Sequence, residues 1–205
     1  MDRRRGGWVR ALGHAVGLAP LALLAYWYTQ GALGVNPIRE LVLRSGRYGA
    51  ALLVLSLVPT AVRIATGHGR ALALRGIWGL YAFGYAVGHL VLQVGLDYQF
   101  ALDLWARDVL RKRFGLAGAG ALLLLVPLAV TSTRGWQRRL GRGWVRLHRL
   151  VYLGAALDVI HYAWAVKASP RIPYALGGVL SALLIVRLPP VRRALGRARA
   201  RAAQE

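Results

Sequence analysis

Cysteine is absent from the 205-residue sequence, and acidic residues are scarce, with only 7 aspartates and glutamates. Without cysteine the chain has no disulfide, no cysteine-ligated iron–sulfur cluster and no C-x-x-C-H motif for attaching haem. Any haem must therefore be held without a covalent bond to the chain. Only 17% of the residues are charged and 57% are hydrophobic, whereas a soluble domain carries about a quarter charged residues. This composition, with a mean hydropathy of +0.43, indicates an integral membrane protein.

Long apolar runs divide the chain into segments that predict six transmembrane helices, since a crossing takes roughly 20 helical residues. A backbone in lipid must satisfy its own hydrogen bonds, so we expect an all-α membrane helical bundle. We expect residues 1–205 to form one domain, and the basic first segment to be an uncleaved helix rather than a signal peptide. The predicted spans are 12–33, 49–66, 76–96, 115–132, 147–167 and 173–189.

The net charge of +21 is unevenly distributed along the chain. Nineteen of the 28 basic residues fall in segments that face the cytoplasm if the N-terminus lies inside. This pattern predicts that both termini are cytoplasmic, and that the basic tail lies on anionic lipid rather than on nucleic acid. The connections 34–48 and 97–114 would then lie outside, as interfacial helices and docking surfaces for a partner, with Phe100 and Trp105 as headgroup anchors.

Glycines recur in the third predicted span, where small residues favour close helix packing. An alternative is that they leave a smooth face for a flat cofactor beside His89. The segment GLAGAG at 115–120 opens a span and follows no strand, which excludes a phosphate-binding loop. No tandem repeat is evident in the sequence. The span-three glycines are Gly76, Gly79, Gly84 and Gly88.

Four of the five histidines lie in predicted spans, where an imidazole without a partner is costly. His89 and His161 each lie about 13 residues into spans that run outward, which places both roughly 20 Å from the inner surface. Two imidazoles at one depth on different helices can bind a single haem iron from its two faces. His14 and His148 both lie near cytoplasmic helix ends, and either a second cofactor site or interhelical hydrogen bonds would explain them. His68 lies in a polar loop.

Asp158 is the one acidic residue inside a predicted span, and it lies a turn before His161. It could accept a hydrogen bond from that imidazole and orient it, or, less favourably, relay protons. A zinc or non-haem iron site would need three or four close ligands, which this pattern does not supply.

Three segments of the sequence closely resemble the MsrQ (formerly YedZ) family of the ferric-reductase-like transmembrane group. They are GLYAFGYAVGHL (79–90), TSTRGWQRRLGRGWVRLHRLVYL (131–153) and IHYAWAVK (160–167). The resemblance implies a multi-pass b-type cytochrome of the bacterial inner membrane. Such a protein takes electrons from the quinone pool or a cytosolic flavin reductase. It passes them to a periplasmic molybdenum-cofactor methionine-sulfoxide reductase (MsrP-like), which repairs oxidised proteins.

The same resemblance implies haem b, with one or two haems left open, and FMN. The family's haem histidines fall on His89, His148 and His161, and His14 also matches a histidine of the pattern. Asp158 departs from that pattern, because an uncharged residue is expected there. Span three has only one histidine where related oxidases have two, so a second haem would not copy their scheme in full.

A cofactor near His148 would stand on the donor side of the membrane. Trp144 and Tyr152 are candidate stacking partners for a flavin, or simply interfacial and core aromatic residues. The arginines of the connection between spans four and five (131–144) could attract a flavin phosphate, although the positive-inside pattern explains them as well. They are Arg134, Arg138, Arg139 and Arg142.

Two other functions fit parts of the pattern. One is a ferric reductase or oxidase subunit with a different acceptor, whose flavin- and nicotinamide-binding part would be a separate protein. The other is a transporter without a cofactor, whose histidines would carry protons or bond neighbouring helices.

Overall fold

The computed structural model describes residues 2–166 and 171–202, and these residues are helical apart from short turns. The predicted all-α class is therefore confirmed for the described part of the chain. One π-helical turn, Gln93–Asp97, extends the third helix. The helices are α1 (Asp2–Thr29), α2 (Pro37–Thr66), α3 (Leu72–Leu92), α4 (Leu102–Arg111), α5 (Arg113–Val130), α6 (Arg134–Leu140), α7 (Arg142–Leu147), α8 (Leu150–Ala165), α9 (Arg171–Ile185) and α10 (Pro189–Ala202).

Helix α2 is longer than its predicted span, because it begins at Pro37 rather than near residue 49. Asn36 caps its start, its side chain accepting a hydrogen bond from the Arg39 N–H, and Pro37 occupies the first turn, where it needs no backbone donor. Gly67 ends the helix in a left-handed conformation with φ 81°. The prediction of a separate outer loop or interfacial helix at 34–48 was wrong, since most of that segment is the first part of α2.

Four helices are long and apolar enough to cross a membrane, namely Gly7–Thr29, Pro37–Thr66, Leu72–Asp97 and Arg113–Val130. The pair α9 and α10 would add a fifth if it is one span, although it is bent by 71°. Helix α8 has only 16 residues, fewer than a full crossing takes. The residue that would end the predicted fifth span, Lys167, lies outside the described residues. Six spans and cytoplasmic termini stay predictions.

The core lies where α2, α3, α5, α8 and α9 meet. Buried side chains such as Leu53, Trp78, Leu125, Val159 and Leu180 form one apolar cluster there. Helix α1 leans on the outside of α3, where Trp78 and Tyr85 donate hydrogen bonds to its backbone carbonyls. Helices α2–α3 and α5–α8 thus form two closely packed pairs, and the space between these pairs holds the candidate site.

The span-three glycines do not produce close helix packing. A methyl group added at any of the four would meet no other atom within 4 Å. Tight contacts occur instead at Gly17, which lies against Tyr81, and at Gly49, which lies against Tyr85. The packing prediction for those four glycines was therefore wrong.

Candidate functional site

A cavity of about 330 Å³ opens between the two helix pairs, and both His89 and His161 line it. We call it the histidine cavity. Its walls are mostly apolar and come from α2, α3, α5 and α8. It lies near the end of the bundle where α2 and α5 begin and where α3 and α8 end. The sequence predicted that these two histidines share a depth, and the structure places them side by side.

The ring centroids of His89 and His161 lie 6.1 Å apart, with the ring planes 79° from parallel. Two imidazoles that bind one metal ion from opposite sides should have centroids about 6.3 Å apart, because each metal–nitrogen bond is about 2.0–2.1 Å and a nitrogen lies about 1.1 Å from its ring centre. The observed centroid spacing lies within about 0.2 Å of that value.

Each imidazole is oriented by a backbone carbonyl of the neighbouring helix. Nδ1 of His89 lies 2.8 Å from the Val42 carbonyl oxygen, and Nδ1 of His161 lies 2.7 Å from that of Phe114. A carbonyl oxygen only accepts, so Nδ1 carries the proton in both rings. Nε2 is then the unprotonated nitrogen, which is the form that binds a metal.

The two histidines are held by the same local geometry. In both cases the carbonyl precedes its histidine by 47 residues. A glycine stands four residues after each carbonyl, and a methyl group there would meet the imidazole at about 3.0 Å from Gly46 and 2.6 Å from Gly118. These glycines let the rings reach the helix backbone. The sequence analysis missed them, although GLAGAG contains Gly118.

Asp158 lines the histidine cavity but does not orient His161, because the Phe114 carbonyl occupies Nδ1 of that ring. The expectation that this carboxyl accepts from His161 was wrong. No group of three or more histidine, cysteine or acidic side chains that could hold a metal ion occurs among residues 2–166 and 171–202.

Polar residues of α4 and its flanks cover the outer end of the cavity. Tyr98 donates a hydrogen bond to Asp108 at 2.7 Å, and Lys112 donates to the same carboxylate. These bonds, that from Lys112 first, lower the pKa of the Asp108 carboxyl, while burial and that carboxylate raise the pKa of Tyr98 to about 12. Phe100 is exposed, in agreement with a surface anchor, but Trp105 turns inward and lines the cavity, against its prediction as an anchor.

His14 and His148 have separate partners. Nδ1 of His14 lies 3.1 Å from the Tyr81 hydroxyl on α3. Nε2 of His148 lies 3.0 Å from the Thr131 hydroxyl at the end of α5, and its ring stacks on Trp144 at 4.0 Å. The structure thus gives each ring a hydrogen bond between helices and does not assemble them into a second pair. His68 is exposed in the loop after α2.

The proposed flavin-stacking residues are already engaged within the protein. Trp144 covers His148, and its indole N–H donates to the Thr131 carbonyl. The Tyr152 ring lies under the Arg187 guanidinium at 5.4 Å. Arg187, near the end of the predicted sixth span, donates a hydrogen bond to the Leu57 carbonyl of α2.

The comparisons with known proteins agree on one family. Residues 45–159 match the model of the ferric reductase like transmembrane component. The protein-methionine-sulfoxide reductase haem-binding subunit MsrQ of Rhodospirillum rubrum is 44% identical over 185 residues, covering 88% of this chain and 88% of the relative. The MsrQ proteins of Caulobacter vibrioides and Xanthomonas axonopodis pv. citri are 43% and 40% identical, over 85% of this chain in both cases and over 84% and 83% of their own lengths.

Proposed function

The chain belongs to the MsrQ family of haem-binding subunits within the ferric-reductase-like transmembrane proteins, and on that premise we propose that it is a b-type cytochrome. Its haem iron would be bound by His89 and His161. The observation that carries this proposal is the 6.1 Å spacing of two rings whose Nδ1 atoms are both bound to carbonyls. Haem supplies a one-electron carrier, and two imidazole ligands leave its iron no open position for oxygen.

The residues around the histidines suit such a group. The mostly apolar walls would surround a bound haem with a low dielectric, which is one way a protein tunes the reduction potential of the iron. Arg47 and Lys112 line the same cavity and would offset the negative charge of haem carboxylates. Nε of Arg47 donates to the Tyr162 hydroxyl at 2.9 Å, which fixes this cation beside His161 on α8.

The proposed direction of transfer is from the cytoplasmic side to the periplasm. The donor would be the quinone pool or a cytosolic flavin reductase, and the acceptor a periplasmic molybdenum-cofactor methionine-sulfoxide reductase. The bacterial inner membrane is the compartment that fits both. Support comes from the relatives, which are haem-binding subunits of a protein-methionine-sulfoxide reductase, and from the position of the histidine cavity at one end of the bundle under α4.

The proposed path also includes a donor-side cofactor near His148. His148 lies just before α8, and the eleven steps from Leu150 to His161 alone rise about 16 Å along the axis of that helix. A second haem or an FMN near His148 would shorten the transfer distance. Either would have to displace the contacts that His148 makes with Thr131 and Trp144.

An absorbance spectrum of the purified protein tests the haem proposal. Reduction by dithionite should give a low-spin b-type spectrum, with one haem per polypeptide if His89 and His161 form the one site. His89→Ala and His161→Ala should each abolish it. His68→Ala is the matched control, because this ring lies outside the bundle. A haem-free protein after haem-replete expression, or a spectrum unchanged in both variants, would refute the proposal.

A ferric reductase or oxidase with a different acceptor is the second candidate, favoured by the match to the ferric reductase family over 45–159. Electron transfer from the reduced protein separates the two. The first function requires rapid reoxidation by the purified periplasmic reductase plus methionine sulfoxide, and the second requires reoxidation by ferric chelates or oxygen alone.

A further inference from the structure

A second cavity lies at the opposite end of the bundle from the cover formed by α4. It has a volume of about 340 Å³ and is lined by Arg63, Ile64, Gly67, Arg192 and Arg199. We call it the arginine pocket. Arg63 lies in the last turn of α2, and Gly67 caps that helix. The other two arginines come from α10, seven residues apart, which puts them on one face of the helix about two turns from each other.

The bend between α9 and α10 brings this arginine face onto α2. The two helices meet at 71°, so α10 turns away from the direction of α9. Arg187 at the bend donates hydrogen bonds to the Leu57 carbonyl of α2 and to the Leu183 carbonyl of α9. Its guanidinium also lies over the Tyr152 ring. The start of α10 is thereby fastened to the bundle, and Arg199 reaches Gly67 at the end of α2.

Three arginine side chains thus line one pocket, and no ion pair is found there in the described part of the chain. The two ion pairs found in the described part of the chain, Glu40 with Arg44 and Asp108 with Lys112, lie far from this pocket. Glu40 opens α2 and Arg63 closes it, a separation of about 35 Å along the helix. Like charges that line one pocket repel each other, and an anion from outside the chain would relieve this repulsion.

We propose that the arginine pocket binds a phosphate group. Guanidinium groups bind phosphate oxygens through paired, charge-assisted hydrogen bonds, and three of them can surround one phosphate. The position of α10 favours a phospholipid headgroup as the source, because an arginine-rich helix turned away from the bundle axis beside apolar Ile64 suits the surface of an anionic leaflet. A soluble phosphoester offers the same chemistry. The inference is independent of the haem proposal.

The test compares two double variants that remove the same charge from the same helix. Arg192→Gln with Arg199→Gln empties the pocket of two cations, whereas Arg193→Gln with Arg197→Gln changes arginines that do not line it. Each protein is placed in nanodiscs of phosphatidylglycerol mixed with phosphatidylcholine, and bound lipid is counted by native mass spectrometry. A second arm adds sn-glycerol 3-phosphate in pure phosphatidylcholine and follows thermal stability.

The pocket variant should retain phosphatidylglycerol about 100-fold less tightly than the wild type, because each charged hydrogen bond from a guanidinium group to the phosphate contributes about a tenfold factor. The control variant should retain it much as the wild type does. Selective binding of glycerol phosphate without phosphatidylglycerol would support the phosphate site and assign it to a soluble ligand. Equal behaviour of the two variants in both arms would overturn the proposal. If the double variant is unstable, Arg63→Gln repeats the comparison from α2.

Discussion

Gly118→Ala is the sharpest test of how the structure positions a haem ligand. The new methyl carbon would lie 2.6 Å from Nδ1 and 2.8 Å from Cε1 of His161, whereas ordinary contacts begin at 3.4 Å. The ring must therefore move by roughly 0.8 Å or turn away, and such overpacking costs about 1–3 kcal/mol. Moving the ring also weakens its hydrogen bond to the Phe114 carbonyl, which contributes about 0.5–1.5 kcal/mol.

Together these effects amount to about 1.5–4.5 kcal/mol, which corresponds to a loss of haem affinity of roughly tenfold to a thousandfold. The assay is a titration of the haem-depleted protein with haem in detergent, followed at the Soret band. A partly displaced imidazole should also give a high-spin component in the spectrum of the oxidised protein. Fold stability should change less than haem affinity, because without haem the imidazole can turn away from the methyl group, and alanine favours a helix over glycine by about 1 kcal/mol.

Gly120→Ala is the matched control on the same helix. Its methyl group would meet only Leu157 Cδ1 at 3.4 Å, the end of a flexible side chain. We expect wild-type haem affinity there. Wild-type affinity and spectrum in Gly118→Ala, or an equal loss in both variants, would refute the idea that this glycine positions His161.

Three further predictions concern the second glycine of the site, the cover formed by α4 and the bend between α9 and α10. Gly46→Ala should weaken haem binding less than Gly118→Ala does, because its methyl group would meet the imidazole at 3.0–3.1 Å rather than 2.6 Å; the same titration measures both. The cover formed by α4 should loosen as the pH falls below about 4. The pKa of the Asp108 carboxyl is lower in the folded protein, so the contribution of this carboxylate to stability is lost as it protonates. Hydrogen exchange of the amides of 102–111 between pH 3 and 6 should show this loosening, and unchanged protection would contradict it. Arg187→Gln should destabilise the protein in detergent by about 1.5–3 kcal/mol through lost charged hydrogen bonds, measured as a lower unfolding midpoint. A midpoint equal to that of Arg193→Gln would show that the bend between α9 and α10 does not depend on the hydrogen bonds of Arg187.

The presence of membrane helices and the depth of residues along them were predictable from the sequence. Apolar length predicts membrane helices, because each residue adds a known rise, and the same rise places His89 and His161 at one depth. Sequence motifs were enough to identify the family. Helix boundaries were less predictable: segment 34–48 was predicted as a connection between spans, yet Asn36 and Pro37 start a helix that runs through most of it.

The orientation of side chains around each helix was decided by the tertiary structure. Depth depends on position in one chain, whereas the partner of an imidazole depends on which neighbouring helix faces it. The assignment of the Phe114 carbonyl rather than Asp158 to His161 is of this kind. The role of Gly118 was also decided by the tertiary structure. A glycine allows a close contact only where a neighbouring helix supplies the side chain that touches it.

The sequence by itself determined that this chain is a helical membrane protein of the MsrQ family, because composition, apolar length and motifs depend only on the order of residues along the chain. Only the tertiary structure decided that the rings of His89 and His161 stand 6.1 Å apart, that carbonyls four residues before two glycines hold them, and that α10 carries its arginines back to α2. Such contacts join residues distant in the chain, and packing between helices sets them.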